Sequence, residues 1–317
     1  MDLPIIRVEN VSKSFNKKPA IKDISFDVYE KDIFGIIGPS GTGKTSLLKI
    51  LMGLYKPDNG RILFKGKEIS NEPSRIRYTF GYVSQEGLFY EKLTVKENLR
   101  YFGQIYFLPK NVIEDRSNEL IELVELNGYE NVVAKNLSGG TQRRLDLAIS
   151  LMHDPEILIM DEPTIGLDPL LRKNMWRLIE MINMRGTTLL VSSHLLSEIE
   201  HICNRIAIMN KGKILEVGNP EQLKTNYSRN EEISIESFPG NYKEITRRLQ
   251  QLNLNIAYIT TREHKLVIYT RTAEVLLHHM LHILEELGER LLDVKVDKPS
   301  LSEVFEALTQ NPKEQVK

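Results

Sequence analysis

The sequence predicts an α/β protein: a large domain built on a mixed sheet over residues 1–226, then a smaller α+β domain over residues 227–317. Three observations carry this. Short unbroken apolar runs, Ile33–Ile37 and Ile157-Leu158-Ile159-Met160, have the make-up of strands buried on both faces of a parallel sheet. Helical periodicity alternates with such runs through the first two thirds of the chain. Around residues 225–231 a polar joint interrupts the pattern, and a second set of elements follows with apolar positions of its own.

The elements follow in order. Residues 5–10 and 21–28 alternate apolar and polar side chains and read as strands of an antiparallel sheet. The run at 33–37 ends in a glycine-rich turn and passes into a helix from Thr45 to about Met52. Residues 94–127 are helical, with Leu99, Phe102, Ile105, Leu120, Leu123 and Val124 as expected core positions. A helix over 139–153 is stopped by Asp154-Pro155. Strand 157–160, helix 169–185 and strand 187–192 continue the alternation, and Asn210-Lys211-Gly212 joins two strands into a hairpin. Past the joint come strand 231–236, helix 241–252, strands 254–260 and 265–270, helix 273–288 and strand 291–296. That βαββαβ order is the ferredoxin-like arrangement. Ile233, Ile235, Leu254, Ile256, Leu266, Ile268, Leu277, Leu291 and Val294 are its expected core. A closing helix at 301–309 carries an apolar stripe, Leu301, Val304, Phe305 and Leu308, suited to docking.

With 42 basic and 43 acidic side chains among 317 residues, the net charge of −1 offers no electrostatic case for nucleic acid or anionic lipid. Cys203 is the single cysteine. An internal disulfide is therefore excluded, and a small buried thiol in a reducing cytoplasm is the expectation. No stretch approaches the roughly 18–20 apolar residues that cross a bilayer, and Met1-Asp2-Leu3-Pro4 lacks a basic segment leading into an apolar one, so no signal peptide is expected. Any role at a membrane is expected to run through a partner. His278 and His282 have metal-ligand spacing on a helix. The apolar face of that helix, Leu276, Met280, Ile283, Leu284 and Leu287, leaves them with Glu285 on the wet side, so no structural metal is expected.

Gly38-Pro39-Ser40-Gly41-Thr42-Gly43-Lys44-Thr45 fits G-x-x-x-x-G-K-[ST] at every fixed position. Glycines let the backbone wrap phosphate oxygens with inward N–H groups, and the helix that follows adds the positive end of its dipole. Lys44 supplies an ammonium for the β- and γ-phosphates, and the Thr45 hydroxyl can ligate magnesium. This much says only "nucleotide".

Leu137-Ser138-Gly139-Gly140-Thr141-Gln142 narrows the field. It resembles the L-S-G-G-x-Q signature of the ABC ATPase family, with Thr141 in a place where Gln is usual. Further residues stand in that family's order, and the resemblance covers residues 4–226. It implies that Asp161, ending an apolar strand, holds Mg2+ and that Glu162 is the general base. It makes Gln85 a sensor of magnesium and γ-phosphate, Asp168 in Gly166-Leu167-Asp168 part of a loop crossing to a second subunit, and His194 a switch on γ-phosphate. Phe15 stands where an aromatic stacks on adenine, and Ser46 joins residues 38–45 around the phosphates of ATP.

The resemblance also implies that Ser138, Gly139, Gly140 and Gln142 close over the ATP of a second, antiparallel subunit, in a homodimer or a pseudo-dimer with a related ATPase. The expected protein is the ATP-hydrolysing subunit of a transporter, peripheral on the cytoplasmic face of the cell membrane and paired with a separate multi-helix permease. The surface between Gln85 and Phe107, rich in aromatics at Tyr101, Phe102, Tyr106 and Phe107, is the expected coupling surface. The alternative is a soluble ABC-class mechanoenzyme acting on nucleic acid or ribosomes. Residues 46–136 hold no sustained heptads, there is one cassette, and the charge is balanced, so no nucleic-acid partner is expected. Residues 299–309 resemble the ending of exporter ATPases of the drug-resistance, sodium-extrusion and polysaccharide type. That resemblance implies an exporter and gives residues 227–317 an accessory role.

Overall fold

The computed structural model describes residues 3–68, 76, 78–227, 231–252, 254–262, 264–297 and 300–310. The chain divides into two compact units, Met1–Asn219 and Pro220–Lys317.

In the first unit, β1 (Ile6–Phe15) and β2 (Lys18–Val28) pair antiparallel. They turn through Asn16 and Lys17, whose φ angles of 48° and 63° suit the tight hairpins that match strand twist. Both strands run longer than their alternation suggests. Register shifts at Val8/Val11, Val11/Lys13 and Lys13/Ser14 break the period of two beyond residue 10. With β4 (Asn59–Phe64) and β5 (Lys67–Glu68) they form a four-stranded sheet.

The second sheet supports the site. It comprises β3 (Ile33–Ile37), β6 (Phe80–Val83), β7 (Ile157–Asp161), β8 (Thr188–Ser193), β9 (Arg205–Asn210) and β10 (Lys213–Gly218), in the order β10-β9-β3-β8-β7-β6. All neighbours are parallel except β9 and β10, so the sheet is mixed, as expected. Every residue of β3, β7 and β8 is buried. The carboxyl ends of β3, β6, β7 and β8 open at one edge, where ligands of such sheets collect.

Helix α1 (Lys44–Leu51) follows β3. Helices α2 (Val95–Ile105), α3 (Lys110–Leu123) and α4 (Gly139–Ser150) make the helical part of this unit. Leu99, Leu120 and Val124 are buried there. Phe102 and Leu123 are half-buried, and Ile105 is exposed against expectation. Ile105 lies six residues from Leu99, about a third of a turn off its stripe, so it faces outward. Gly103 completes that stripe, and a Cβ there would meet Ile113 at 2.7 Å, so only glycine allows α2 and α3 this close. Helices α5 (Pro169–Met184) and α6 (Leu196–Ile202) follow β7 and β8. Cys203 is buried, which pushes its thiol pKa up.

The second unit holds α7 (Pro220–Tyr227), β11 (Glu231–Phe238), α8 (Tyr242–Gln251), β12 (Ile256–Arg262), β13 (Lys265–Thr270), α9 (Ala273–Glu286), β14 (Arg290–Asp297) and α10 (Leu301–Gln310). Its sheet runs β12-β13-β11-β14 with every neighbour antiparallel, so β13 is inserted between the strands of a split βαβ unit. Ile233, Ile235, Leu266, Ile268, Leu276 and Met280 lie in its core, with Leu254, Ile256, Leu277 and Leu291 packed at the margin. Val294, placed in the core from sequence, is 38% exposed, because β14 is an edge strand. His278, His282 and Glu285 lie on the exposed side of α9. In α10, Leu301, Val304 and Leu308 are buried, Phe305 is half-buried, and the helix packs against α7. No helix among the described residues is long and apolar enough to cross a membrane.

Candidate active site

The chain leaves β3 at Ile37 and wraps through residues 38–43 into α1. Tertiary contacts demand glycine here: a Cβ on Gly38 would stand 2.2 Å from the Met209 carbonyl oxygen. Gly43 caps α1 with φ 104°. The loop is braced from outside by the β9–β10 turn, where Gly212 N–H donates to the Thr42 carbonyl at 3.1 Å and Lys22 N–H donates to the Gly212 carbonyl at 2.8 Å. Thr42 Oγ1 donates to the Pro39 carbonyl at 2.9 Å.

A cleft of about 560 Å3 opens at this loop, and Ser40, Gly41, Gly43, Lys44, Thr45 and Ser46 line it together with Gln85, Glu162 and His194. Lys44 is buried; its Nζ donates to the Gly38 carbonyl at 2.7 Å and lies 3.3 Å from Glu162 Oε1. His194 Nδ1 stands 2.7 Å from Glu162 Oε2. A carboxylate only accepts, so Nδ1 carries the proton and Nε2 is left for another partner.

Glu162 adopts φ 52°, a conformation that non-glycine residues rarely hold. Its N–H is fixed by the Ser192 carbonyl at 3.2 Å and Ser192 Oγ at 3.0 Å. That hydroxyl donates to Asp161 Oδ1 at 2.5 Å. Asp161 itself is buried beneath the cleft rather than lining it. Burial, then the charges of Asp161 and Glu86, push the nearby Tyr82 hydroxyl to about 12.

The Gln85 segment is held from α4. Arg143 donates to the Ser84 carbonyl at 2.7 Å and to the Gln85 carbonyl. Asp146 accepts the Leu88 N–H at 2.7 Å, and burial raises its carboxyl pKa to about 6.

The remaining expected residues stand apart from this cleft. Ser138 caps α4, accepting from Thr141 N–H at 3.3 Å and pairing with the Thr141 hydroxyl at 2.7 Å. Gly139 has open space around it, and a Cβ on Gly140 would meet Leu171 at 3.0 Å. Gln142 donates its amide to the Ala134 carbonyl at 3.1 Å. Asp168 caps α5, accepting from Leu170 and Leu171 N–H at 3.0 Å each. Phe15 and Tyr55 meet edge to face, with ring centroids 5.1 Å apart. None of these lines the cleft that holds Lys44 and Glu162.

Sequence reasoning missed Ser192, Arg143, Asp146, Lys22 and Lys211. The last two line the cleft from β2 and the β9–β10 turn. Only the turn left a signal, and nothing in Asn210-Lys211-Gly212 says that it faces residue 42.

The sequence pattern of the family described as ABC transporter matches residues 21–165. The linearmycin resistance ATP-binding protein LnrL of Bacillus subtilis (strain 168) is 31% identical over 315 residues, 96% of this chain and 98% of that protein. The Nod factor export ATP-binding protein I of Rhizobium sp. (strain N33) is 32% identical over 304 residues, 96% of each chain. A solved ATP-binding cassette, dimeric and bound to ADP and Pi in a post-hydrolysis state, superposes with TM-score 0.61 at 26% identity, covering 68% of this chain and 98% of that one. A glycine-rich loop facing a carboxylate and a histidine, together with relatives matched over nearly their whole length, establishes that the chain belongs to the ABC transporter family, as an ATP-binding and ATP-hydrolysing subunit.

Proposed function

We propose that this protein energises an exporter: two copies, or one copy and a related ATPase, close around two ATP molecules and drive a separate multi-helix permease from the cytoplasmic face of the cell membrane. The observation that carries the catalytic half is the convergence of Lys44 and His194 on the single carboxylate of Glu162, at 3.3 and 2.7 Å.

In this reading Glu162 takes a proton from water as its oxygen attacks the γ-phosphorus. The bond from that phosphorus to the bridging oxygen breaks, leaving ADP and phosphate. General-base help of this kind is worth roughly 10²–10⁴-fold. Lys44 exchanges its carbonyl partners for β- and γ-phosphate oxygens, and His194 exchanges Glu162 for the γ-phosphate as the acceptor of its ring N–H. The glycines at 38 and 43 let the loop close against the Met209 and Ala20 carbonyls behind it, and Phe15 offers a face to adenine. Thr45 and Gln85 line the cleft and Asp161 lies buried beneath it, and their hydroxyl, amide and carboxylate oxygens are a donor set that would suit Mg2+. Bound there, the ion would neutralise phosphate charge.

Ser138, Gly139, Gly140, Gln142 and Asp168 lie off their own cleft, and their role is to close over the nucleotide of the second copy. The dimeric form of a solved relative supports this. Export is supported by relatives named for resistance and for Nod factor export. The permease docks by the aromatic surface after Gln85, where Tyr101 and Phe107 are exposed while Tyr106 is taken up by a 3.9 Å stack on His153. Residues 227–317 are an accessory domain with a regulatory or dimer-stabilising role. The mechanoenzyme alternative draws no support from relatives that are transporter ATP-binding proteins.

Glu162→Gln tests the chemistry and the pairing together. ATP binding survives, turnover falls by about 100-fold or more, and a closed dimer accumulates with ATP and magnesium on gel filtration. Normal turnover removes Glu162 from the role of base. Isolation of the chain from native membranes in mild detergent should bring one multi-helix protein with it; its absence refutes the permease.

A further inference from the structure

Glu198 lies on α6, four residues after His194, and takes no part in the chemistry above. Its side chain is 16% exposed, and donors from two other segments converge on it. Thr164 Oγ1 donates to Oε2 at 3.0 Å, and Trp176 Nε1 donates to the same oxygen at 2.9 Å. Arg172 Nη1 donates to Oε1 at 2.9 Å. The rest of the Arg172 guanidinium turns back, donating from Nε at 3.2 Å and Nη2 at 3.0 Å to the Leu167 carbonyl.

An acid on a short surface helix is ordinarily solvated. Here a mostly buried carboxylate is matched by one cation and two further donors, so removing any partner leaves a desolvated group behind. The connections are specific. Thr164 stands two residues after Glu162, and Leu167 closes the same turn. One carboxylate therefore clamps the segment behind Glu162 at both ends, directly at Thr164 and through Arg172 at Leu167. It does so from the helix that begins two residues after His194.

We propose that Glu198 is a positioning residue for hydrolysis. It locks the turn that follows Glu162 to the helix that follows His194, so that carboxylate and imidazole keep their register. The lock moves Leu167 and Asp168 with them. The proposal rests on the reading of Glu162, His194 and the paired subunits given above. Under that reading Asp168 reaches the second copy, so the lock also reports the state of one nucleotide to the other.

Two variants of the full chain test it. Glu198→Gln keeps the shape and an acceptor for Trp176 and Thr164 but loses the charge facing Arg172. Arg172→Met removes the other half while keeping a long stem. Each is expected to lower kcat on the order of 10–100-fold, the scale of a misplaced catalytic group, with affinity for a fluorescent ATP analogue changed by less than about twofold. The double variant should be no slower than the slower single one, since both cut the same link. The Hill coefficient for ATP should fall towards that of independent sites, a change that general loosening of the fold does not produce. Wild-type kcat and Hill coefficient in either single variant, or effects that add in the double, would overturn the lock. Glu162→Gln is run alongside. If it is inactive while Glu198→Gln turns over normally, the lock alone is wrong; if Glu162→Gln turns over normally, the catalytic reading falls and the lock with it.

Discussion

Replacing Asp146 by Asn measures what it costs to bury a carboxylate behind the Gln85 loop. Asp146 is 1% exposed on α4, accepts the Leu88 N–H at 2.7 Å, and has Arg143 3.8 Å away. Burial raises its pKa from 3.8 to about 6, against the opposing pull of the Leu88 amide, the Arg143 charge and the Phe89 amide. The folded pKa lies above the unfolded one, so the contribution of Asp146 to stability is fully present below pH 3.8 and is lost as pH rises through 6. A shift of about two units corresponds to a swing of about 3 kcal/mol between those limits. Asn does not titrate, yet keeps an oxygen for Leu88. The unfolding free energy of Asp146→Asn minus that of the wild type should therefore climb by about 1 kcal/mol between pH 5 and pH 7 and level off above that. Urea titrations of both proteins at pH 5, 6, 7 and 8 give the curve, and the subtraction removes every other titrating group. A flat difference, or one falling with pH, refutes the reasoning: the amides and Arg143 would then outweigh desolvation.

Two further substitutions probe the supports of the site. Ser192→Ala removes the hydroxyl that joins Asp161 to the Glu162 amide, at 2.5 and 3.0 Å. It should lower stability by about 2–3 kcal/mol and slow turnover more than it weakens ATP binding, and an unchanged urea midpoint with full turnover argues against the bridge. Asn98→Ala strips a fully buried amide that accepts the Tyr90 N–H at 2.7 Å and donates to the Tyr90, Leu93 and Thr94 carbonyls at 3.1, 3.3 and 3.0 Å. A loss of about 2–4 kcal/mol is expected in thermal melts, and faster proteolysis at residues 88–94 should accompany it; a wild-type Tm denies the amide that role.

What was legible in the sequence was whatever a local pattern can encode. The apolar runs of β3 and β7, the phosphate loop, the capped α4 and the hairpin around Gly212 each depend on neighbours along the chain. The end of β1 was not legible, because its bulges erase the alternation beyond residue 10. Ile105 and Val294 are apolar, yet each lies where no second layer covers it, Ile105 off the buried stripe of its helix and Val294 at a sheet edge. Ser192, Arg143 and Glu198 escaped for the opposite reason. Their partners lie 31, 59 and 34 positions away in sequence, at Asp161, Ser84 and Thr164, and an isolated polar side chain carries no mark of a distant carbonyl or carboxylate. The motifs thus supplied the residues expected to meet the nucleotide, while the residues that hold those in place came from the fold.

The bracing of the glycine-rich loop by the far end of its sheet also dates the completion of the loop's surroundings. Residues 38–45 leave the ribosome early, but the wall behind Gly38 is the Met209 carbonyl and the donor on Thr42 is Gly212. The strand that feeds the loop has its Ile33 N–H tied to Asn204, 171 positions downstream. At translation rates of about 5–20 residues per second, the loop waits roughly 10–30 seconds for the segment that shapes it. During that interval β3 has no β8 or β9 beside it, and its apolar side chains depend on chaperones or on collapse with β1 and β2. A nascent chain therefore completes the walls of this loop only after residue 212 has been made.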